Sequence, residues 1–246
     1  METKHIIYKS FNNKNKQLNK KKFRLANKLF VAEGKKVVNE LINAGWVFKM
    51  LFSTEDNFHK NADVIKDEEM KKITHFNSPS PVLGVFELPD EKKILAEPTT
   101  IAVDGISDPG NLGTIIRLCD WFGLSELFCS YDTVDCFNPK VIQASAGSIV
   151  RVRCHYLNDL PKSLVSLNKP IFGTSASGDS IYSTKLLDKA SYVFGSEANG
   201  LSESVSSQLN GELSIPEFRL YESKPESLNV ATTAAIFLSE LNRNKN

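Results

Sequence analysis

Short apolar runs alternate with longer amphipathic ones through the second half of this chain. The apolar runs 100–104, 126–131, 148–156, 170–174, 191–195 and 212–216 read as strands. Between them, 111–122, 139–146, 159–167, 202–209 and 228–242 carry apolar residues at helical spacing. Asn138 is placed to cap the second of these helices and Pro139 to fill its first position. Strands that alternate with helices predict an α/β domain, with a mostly parallel sheet covered on both faces. Ligands of such sheets bind beyond the carboxyl ends of the strands.

The first half has a different rhythm. Residues 9–28 are Asn/Lys-rich, and Leu18, Phe23, Leu25 and Leu29 give an imperfect apolar stripe. This predicts a helix with Lys14, Lys16, Lys20, Lys21, Lys22 and Arg24 facing outward. A strand at 29–32, a helix at 35–43 opened by Gly34, and a strand at 47–52 follow. Residues 56–72 read as two helical pieces. Strands are expected at 73–76 and 82–88, around Ser78-Pro79-Ser80-Pro81. The pattern divides the chain into a small αβ domain at 1–90, a charged linker at 91–98 and a sheet domain at 99–246.

Net charge is only +1 over 246 residues, but it is unevenly spread: +9 over residues 1–50 and −4 over each of 51–97 and 98–246. A basic arm on a near-neutral chain points to a polyanionic partner. Lys20, Lys21, Lys22, Arg24, Lys35 and Lys36 are its candidate contacts. No apolar run approaches ~18 residues, and the N-terminus lacks an apolar signal core. A cytoplasmic protein without membrane contact is expected. Cys119, Cys129, Cys136 and Cys154 form no C-x-x-C pair, so buried apolar thiols are expected rather than a metal site or a disulfide framework.

Three stretches repeat the order strand, polar loop, helix. The first holds Asp108-Pro109-Gly110-Asn111 and then Arg117, with Trp121 on the same polar helix face. The second is Gly195-Ser196-Glu197-Ala198-Asn199-Gly200. The third is Ser227-Leu228-Asn229, leading into an alanine-rich helix with Ser227 as a candidate cap. All three loops fall at the carboxyl edge of the expected sheet. Common alternatives are missing. No G-x-G-x-x-G follows a strand, and Gly173-Thr174-Ser175-Ala176-Ser177-Gly178 is followed by Asp179 where a phosphate loop requires Lys. There is no G-x-S-x-G elbow and no H-E-x-x-H helix. His5, His59, His75 and His155 lie outside the three loops, which argues against Ser-His hydrolysis.

Together these loops resemble the signature of the SpoU family of RNA ribose 2′-O-methyltransferases, within the SPOUT superfamily. Its first motif is matched by Asp108-Pro109-Gly110-Asn111-Leu112-Gly113, Arg117 and Phe122-Gly123. Its second is matched by residues 195–200, and its third by Ile215-Pro216 and Ser227-Leu228-Asn229-Val230. Phe30-Val31-Ala32-Glu33-Gly34, with Lys36, Val37 and Glu40, and the segment 81–85 are similar to the family's substrate-binding domain, which is related to small RNA-binding ribosomal proteins. Residues 217–226 depart from the family, whose linker there is usually shorter and carries a glycine.

The resemblance implies a C-terminal sheet ending in a trefoil knot, an exception to the rule against threaded chains. It implies a homodimer and a pocket for S-adenosylmethionine lined by Gly173, Thr174, Gly195, Ile215, Leu228 and Asn229. Asn111, Arg117, Glu197, Ser227 and Asn229 become the catalytic or substrate-positioning set. The implied reaction is methylation of a ribose 2′-hydroxyl in structured RNA, with ribosomal RNA expected over transfer RNA. A non-catalytic RNA-binding or ribosome-assembly protein of the same fold is the competing reading.

Overall fold

The computed structural model describes residues 16–90, 93–95, 97–218 and 227–243. Lys14, the start of the expected first helix, parts of the linker and residues 219–226 lie outside the described residues. The chain forms two compact units. One comprises residues 1–92 and 135–150, the other 93–134 and 151–246. The segment 135–150, contiguous in sequence with the second unit, therefore packs with the first.

The first unit is built on a four-stranded mixed sheet. Its elements are α1 (Lys21–Asn27), β1 (Leu29–Glu33), α2 (Lys35–Asn43), β2 (Phe48–Ser53), β3 (Asp63–Val64), α3 (Asp67–Ile73) and β4 (Val82–Glu87). The strand order is β1-β4-β2-β3. β4 runs antiparallel to both β1 and β2, and β3 lies parallel to β2. Alternate residues of the strands face opposite sides. Val31, Leu83 and Val85 join Phe52, Met70, Ile73 and Leu18 on one side. On the other side Phe30 meets Phe86, Trp46 and Phe137, with ring centroids 5.7, 5.7 and 5.0 Å away. Phe137 belongs to the inserted segment. That segment continues into α5 (Pro139–Ala144), capped by the Asn138 side chain on the Lys140 N–H. Gly147, at φ +98°, packs so closely on Glu40 that a Cβ would lie 2.7 Å from its Cγ.

Two expectations are corrected here. Arg24 does not face outward; it is 2% exposed. Its Nε and Nη2 donate to Asp135 Oδ2, the former at 2.8 Å, and its Nη1 donates to the Leu18 carbonyl at 2.7 Å. A buried guanidinium demands such partners, and the partner carboxylate lies 111 residues away, beyond the reach of local pattern. Residues 73–76 are not a strand either. Ile73 ends α3, and the next donors turn to a carboxylate: the Thr74 hydroxyl and the His75 N–H both donate to Glu33, at 2.6 and 2.7 Å. Burial raises the Glu33 carboxyl pKa above its ordinary value, while these two bonds oppose the shift. His75 moves the other way, to about 4, through burial and the nearby Arg24 charge.

The second unit contains β5 (Thr100–Asp104), α4 (Pro109–Trp121), β6 (Glu126–Ser130), β7 (Arg153–Leu157), α6 (Leu160–Ser166), β8 (Ile171–Ser180), β9 (Ser191–Gly195), α7 (Glu203–Ser206), β10 (Gly211–Ser214) and α8 (Val230–Asn242). Its six strands are all parallel, in the order β10-β8-β9-β5-β6-β7. β5 is central and buried along its length. α6 and α7 cover one face through Leu160, Leu164 and Val205, which meet Ala102, Phe128, Ile171 and Val193 of the sheet. α4 and α8 pack together, and Phe237 of α8 meets the Phe194 ring edge-on at 5.6 Å. β7 starts at Arg153 rather than at 148. A short 3-10 turn, Ser148–Val150, precedes it, entered through Ala146 and Gly147 at φ +52° and +98°.

β8 runs beyond its expected end at 174, and its ladder is interrupted. Gly173 pairs with Glu212, but the next partner of β10, Leu213, pairs with Asp179. Residues 174–178 therefore leave the ladder as a bulge. Gly178 closes it against the β10 backbone, where a Cβ would lie 2.5 Å from the Glu212 carbonyl carbon.

The Arg24–Asp135 pair gives a direct test in the first unit. Arg24→Ala leaves the Asp135 carboxylate, 11% exposed, without its cation, and should cost ~3–5 kcal/mol. The double replacement Arg24→Met with Asp135→Leu should recover most of that loss. Urea unfolding of the three chains measures both effects, and a single variant as stable as the unmodified chain would refute the pairing.

Candidate active site

Three strand ends set the stage at the carboxyl edge of the parallel sheet. β9, β5 and β6 lie side by side there, with Asp104 in register with Gly195. From β5 the chain turns into α4, whose N-cap is Asp108: its carboxylate accepts the Asn111 N–H at 2.8 Å, and Pro109 opens the helix. Asn111 is therefore not a cap, and its side chain is available for longer-range contacts. From β9 the chain enters the loop 195–200, closed on itself by reciprocal backbone bonds between Ser196 and Gly200 of 3.0 and 2.9 Å. Gly195 has no room for a side chain, because a Cβ would run into the Gly200 backbone. From the third loop the chain enters α8, which is capped by Asn229 rather than by Ser227. The Asn229 carbonyl oxygen accepts the N–H groups of Ala231 and Thr232 at 3.0 and 3.2 Å.

These local choices force a longer order. With its oxygen engaged on the helix, Asn229 must present its NH₂ group, which donates to Asn111 Oδ1 at 2.9 Å. Asn111 must then present its own NH₂, which donates to Glu197 Oε1. The sequence of bonds runs from the positive end of α8 through two amides to one carboxylate. Each amide orientation is fixed by its neighbour, and Glu197 Oε1 is the acceptor at the end. The three loops meet in this network.

Beside it lies a cavity of about 430 Å³. The β8 bulge supplies one wall through Thr174, Ser175 and Ala176, and the residues after β10 supply another through Ile215, Pro216 and Glu217. Gly195, Glu197, Ser227 and Leu228 also line it, and Val230, Thr233 and Phe237 of α8 close it. Its volume is that of a small-molecule site, and its mix of apolar walls with a few polar groups is usual for one. Gly173 sits outside it. A Cβ there would meet Leu201 and Leu209 at 2.5 and 2.6 Å, so this glycine serves packing behind the wall. Asn111 and Asn229 reach the site through the hydrogen-bond network rather than as cavity lining.

Arg117 lies two turns along α4 from Asn111. It is exposed and makes no ion pair or hydrogen bond among the described residues. Trp121, one turn further, is 81% exposed. The neighbouring Asp120 is engaged by Arg151 Nε at 2.9 Å. Gly113 of the first motif is buried. Cys119 is also buried, which pushes its thiol up to about 12 and removes it as a nucleophile. Lys35 is half-exposed and paired with Glu55 at 2.6 Å, whereas Lys20, Lys22 and Lys36 are exposed and Lys21 half-buried.

Sequence reasoning passed over two contributors. Asp104 is 7% exposed and accepts the Ser202 N–H at 2.7 Å, tying the far end of the Glu197 loop to the central strand. An acid that terminates an apolar strand was the available signal. The other is the bulge at 174–178: the resemblance implied Gly173 and Thr174 at the pocket, but the break in the β8–β10 ladder that forms the wall was not expected.

Two family models match the chain. Residues 98–239 match the SpoU rRNA Methylase family model, and residues 13–84 match an MRM3-like substrate binding domain. The 23S rRNA (guanosine(2553)-2'-O)-methyltransferase RlmP of Bacillus subtilis is 28% identical over 244 residues, covering 92% of this chain and 93% of the relative. A TrmH-family protein from Porphyromonas gingivalis superposes with a TM-score of 0.82 at 34% identity, over 94% of this chain and 96% of the other. An AdoMet-bound rRNA methyltransferase from Sinorhizobium meliloti superposes with a TM-score of 0.79 at 25% identity, over 95% and 94%. No helix among the described residues is long and apolar enough to cross a membrane. With more than half of its length matched in one piece and the three loops of that match joined in one network, the chain belongs to the SpoU rRNA Methylase family.

Proposed function

We propose that this chain methylates a ribose 2′-hydroxyl of ribosomal RNA with S-adenosylmethionine as methyl donor. The observation that carries the reading is the Asn229–Asn111–Glu197 network at the mouth of the cavity. The cavity residues fit the cofactor. Gly195 allows the loop backbone to close up beside the space, and Thr174, Ile215 and Leu228 offer backbone groups and apolar surface for a purine. Glu197 and Glu217 place carboxylates at the wall, which favours a cationic ligand. When bound, the cofactor supplies a methyl group on positively charged sulfur.

The chain's own work is orientation and electrostatics. Asn111 and Asn229 hold Glu197 as an oriented acceptor. Ser227 adds a hydroxyl to the cavity wall. Arg117, exposed and uncommitted among the described residues, takes the RNA phosphate next to the target ribose and polarises the hydroxyl. A guanidinium almost never gives up its proton, so this role suits it better than that of a base. Lys20, Lys21, Lys22, Lys35 and Lys36 contact RNA phosphates; Arg24, buried and paired, does not belong with them. Ribosomal RNA is favoured over transfer RNA by the match to an MRM3-like substrate binding domain and by the likeness to RlmP.

A homodimer, a cytoplasmic location and the trefoil knot complete the proposal. The exposed Trp121 on α4 supports the first. The return of α8 from the edge strand β10 to pack on α4 and β9 supports the last.

Methyl incorporation from labelled S-adenosylmethionine into RNA from a strain lacking this chain tests the reading. Arg117→Ala should lower kcat/KM by at least ~100-fold, as expected for loss of a key electrostatic group, and leave the affinity for S-adenosylmethionine unchanged. Full turnover in that variant would refute the assignment, and tight RNA binding without transfer by the unmodified chain would favour a binding protein.

Asn111→Asp tests the network separately. It sets a second carboxylate against Glu197 where an NH₂ donated, so cofactor affinity should fall by about tenfold at pH 7, and protonation of one of the pair should restore much of it as pH drops toward ~5. Calorimetric titration at the two pH values reads the effect, and a pH-independent loss would count against the network.

A further inference from the structure

We propose that Tyr131 is the stacking platform for a nucleobase of the RNA substrate beside the target ribose. This subsite deepens the reading of function given above and rests on it. Tyr131 follows β6 directly and is 64% exposed. Its place is set by sheet register. Val103 pairs with Cys129 and Asp104 with Gly195. Gly195, Asp104 and Ser130 therefore stand in a row at the carboxyl edge, and the residues that follow them form the next row. Ser196, which leads into Glu197, leaves β9 at one end of that row and Tyr131 leaves β6 at the other. The two strands are separated by two strand spacings, roughly 10 Å, a span on the scale of a nucleoside. The cavity occupies the β8, β9 and β10 side of Glu197, which leaves the β5 and β6 side for RNA.

The loop that carries Tyr131 is held on both sides. Ser130 Oγ accepts the Gly105 N–H at 2.8 Å, donates to Asp132 Oδ1 at 2.5 Å and lies 3.0 Å from the buried Thr133 Oγ1. The Val134 N–H donates to the Ile106 carbonyl at 2.8 Å. Gly105 lies against Asp132 and Ser196 at once, with a Cβ there 3.5 Å from Asp132 Oδ2 and 3.9 Å from Ser196 Cβ. The aromatic residue is thus fixed relative to both the turn that leads to Asn111 and the loop that carries Glu197. A pre-organised, solvent-exposed ring loses little freedom on binding, and aromatic side chains that stack on unpaired bases are the usual means of holding single-stranded RNA.

The test compares Tyr131→Ala, Tyr131→Phe and Tyr131→Trp in the full chain, with ribosomal RNA from a strain lacking it as the probe. Tyr131→Ala should raise both KM and Kd for RNA by about 5- to 150-fold, the effect of losing one base–aromatic stack. The KM for S-adenosylmethionine, the melting temperature and the salt dependence of RNA binding should stay as they were. The Phe and Trp variants should remain within about threefold of the unmodified chain, since stacking needs a ring and not a hydroxyl. An Ala variant with unchanged RNA affinity, or a Phe variant as weak as Ala, overturns the subsite. Failure of the unmodified chain to transfer methyl groups strikes instead at the reading of function, and the RNA affinities of the three variants still decide the subsite.

Discussion

A single oxygen organises the site. Asn229 Oδ1 is committed to the first turn of α8, and that commitment propagates. It fixes the direction of the Asn229 amide, which fixes the Asn111 amide, which fixes which group Glu197 can be. No member can reverse without leaving a donor facing a donor. The network spans 118 residues of sequence between Asn111 and Asn229, so it exists only when β5, β9 and α8 are in place. The loops of such a sheet need not be rigid by themselves, because this network supplies the order that their short local bonds lack.

The first unit depends on a comparable long-range commitment. Arg24 sits inside it because Asp135, the Leu18 carbonyl and the surrounding apolar residues accept it there. Phe137 adds a ring to Phe30 and Trp46 from the same inserted segment. The basic character of the N-terminal region is therefore selective: its described lysines are exposed or half-buried, while its single arginine before residue 117 is a structural element.

Elements were legible in the sequence where a short apolar run is buried on both faces, as in β5, β6 and β9, or where apolar residues recur at helical spacing. β1, β5, β6 and β9 fall close to where their apolar runs placed them, as do α2, α4 and α8. The parallel sheet followed from alternation, and the three site loops from their Gly, Asn and Ser content. Illegible were the features decided by a distant partner. Nothing near Arg24 announced Asp135, and nothing near Thr74 announced that Glu33 would draw its donors away from a ladder. The bulge in β8 is of the same kind, since the interruption shows only against β10. Asp104 could have been noticed, because a carboxylate at the end of a fully apolar strand needs a partner; the identity of that partner, the Ser202 N–H, could not.

The insertion of residues 135–150 into the first unit also sets an order of events during synthesis. A ribosome that has released residues 1–92 has delivered the four strands of that unit's sheet, but not the ring or the carboxylate that complete it. At ~5–20 residues per second, roughly 3 to 12 s pass before residue 150 appears. During that interval β5, α4 and β6 emerge first. The nascent chain must hold an open aromatic face and an uncompensated arginine while elements of the other unit accumulate. The two units mature interleaved rather than in succession, and the N-terminal piece expressed alone would stay at the stage the ribosome passes through.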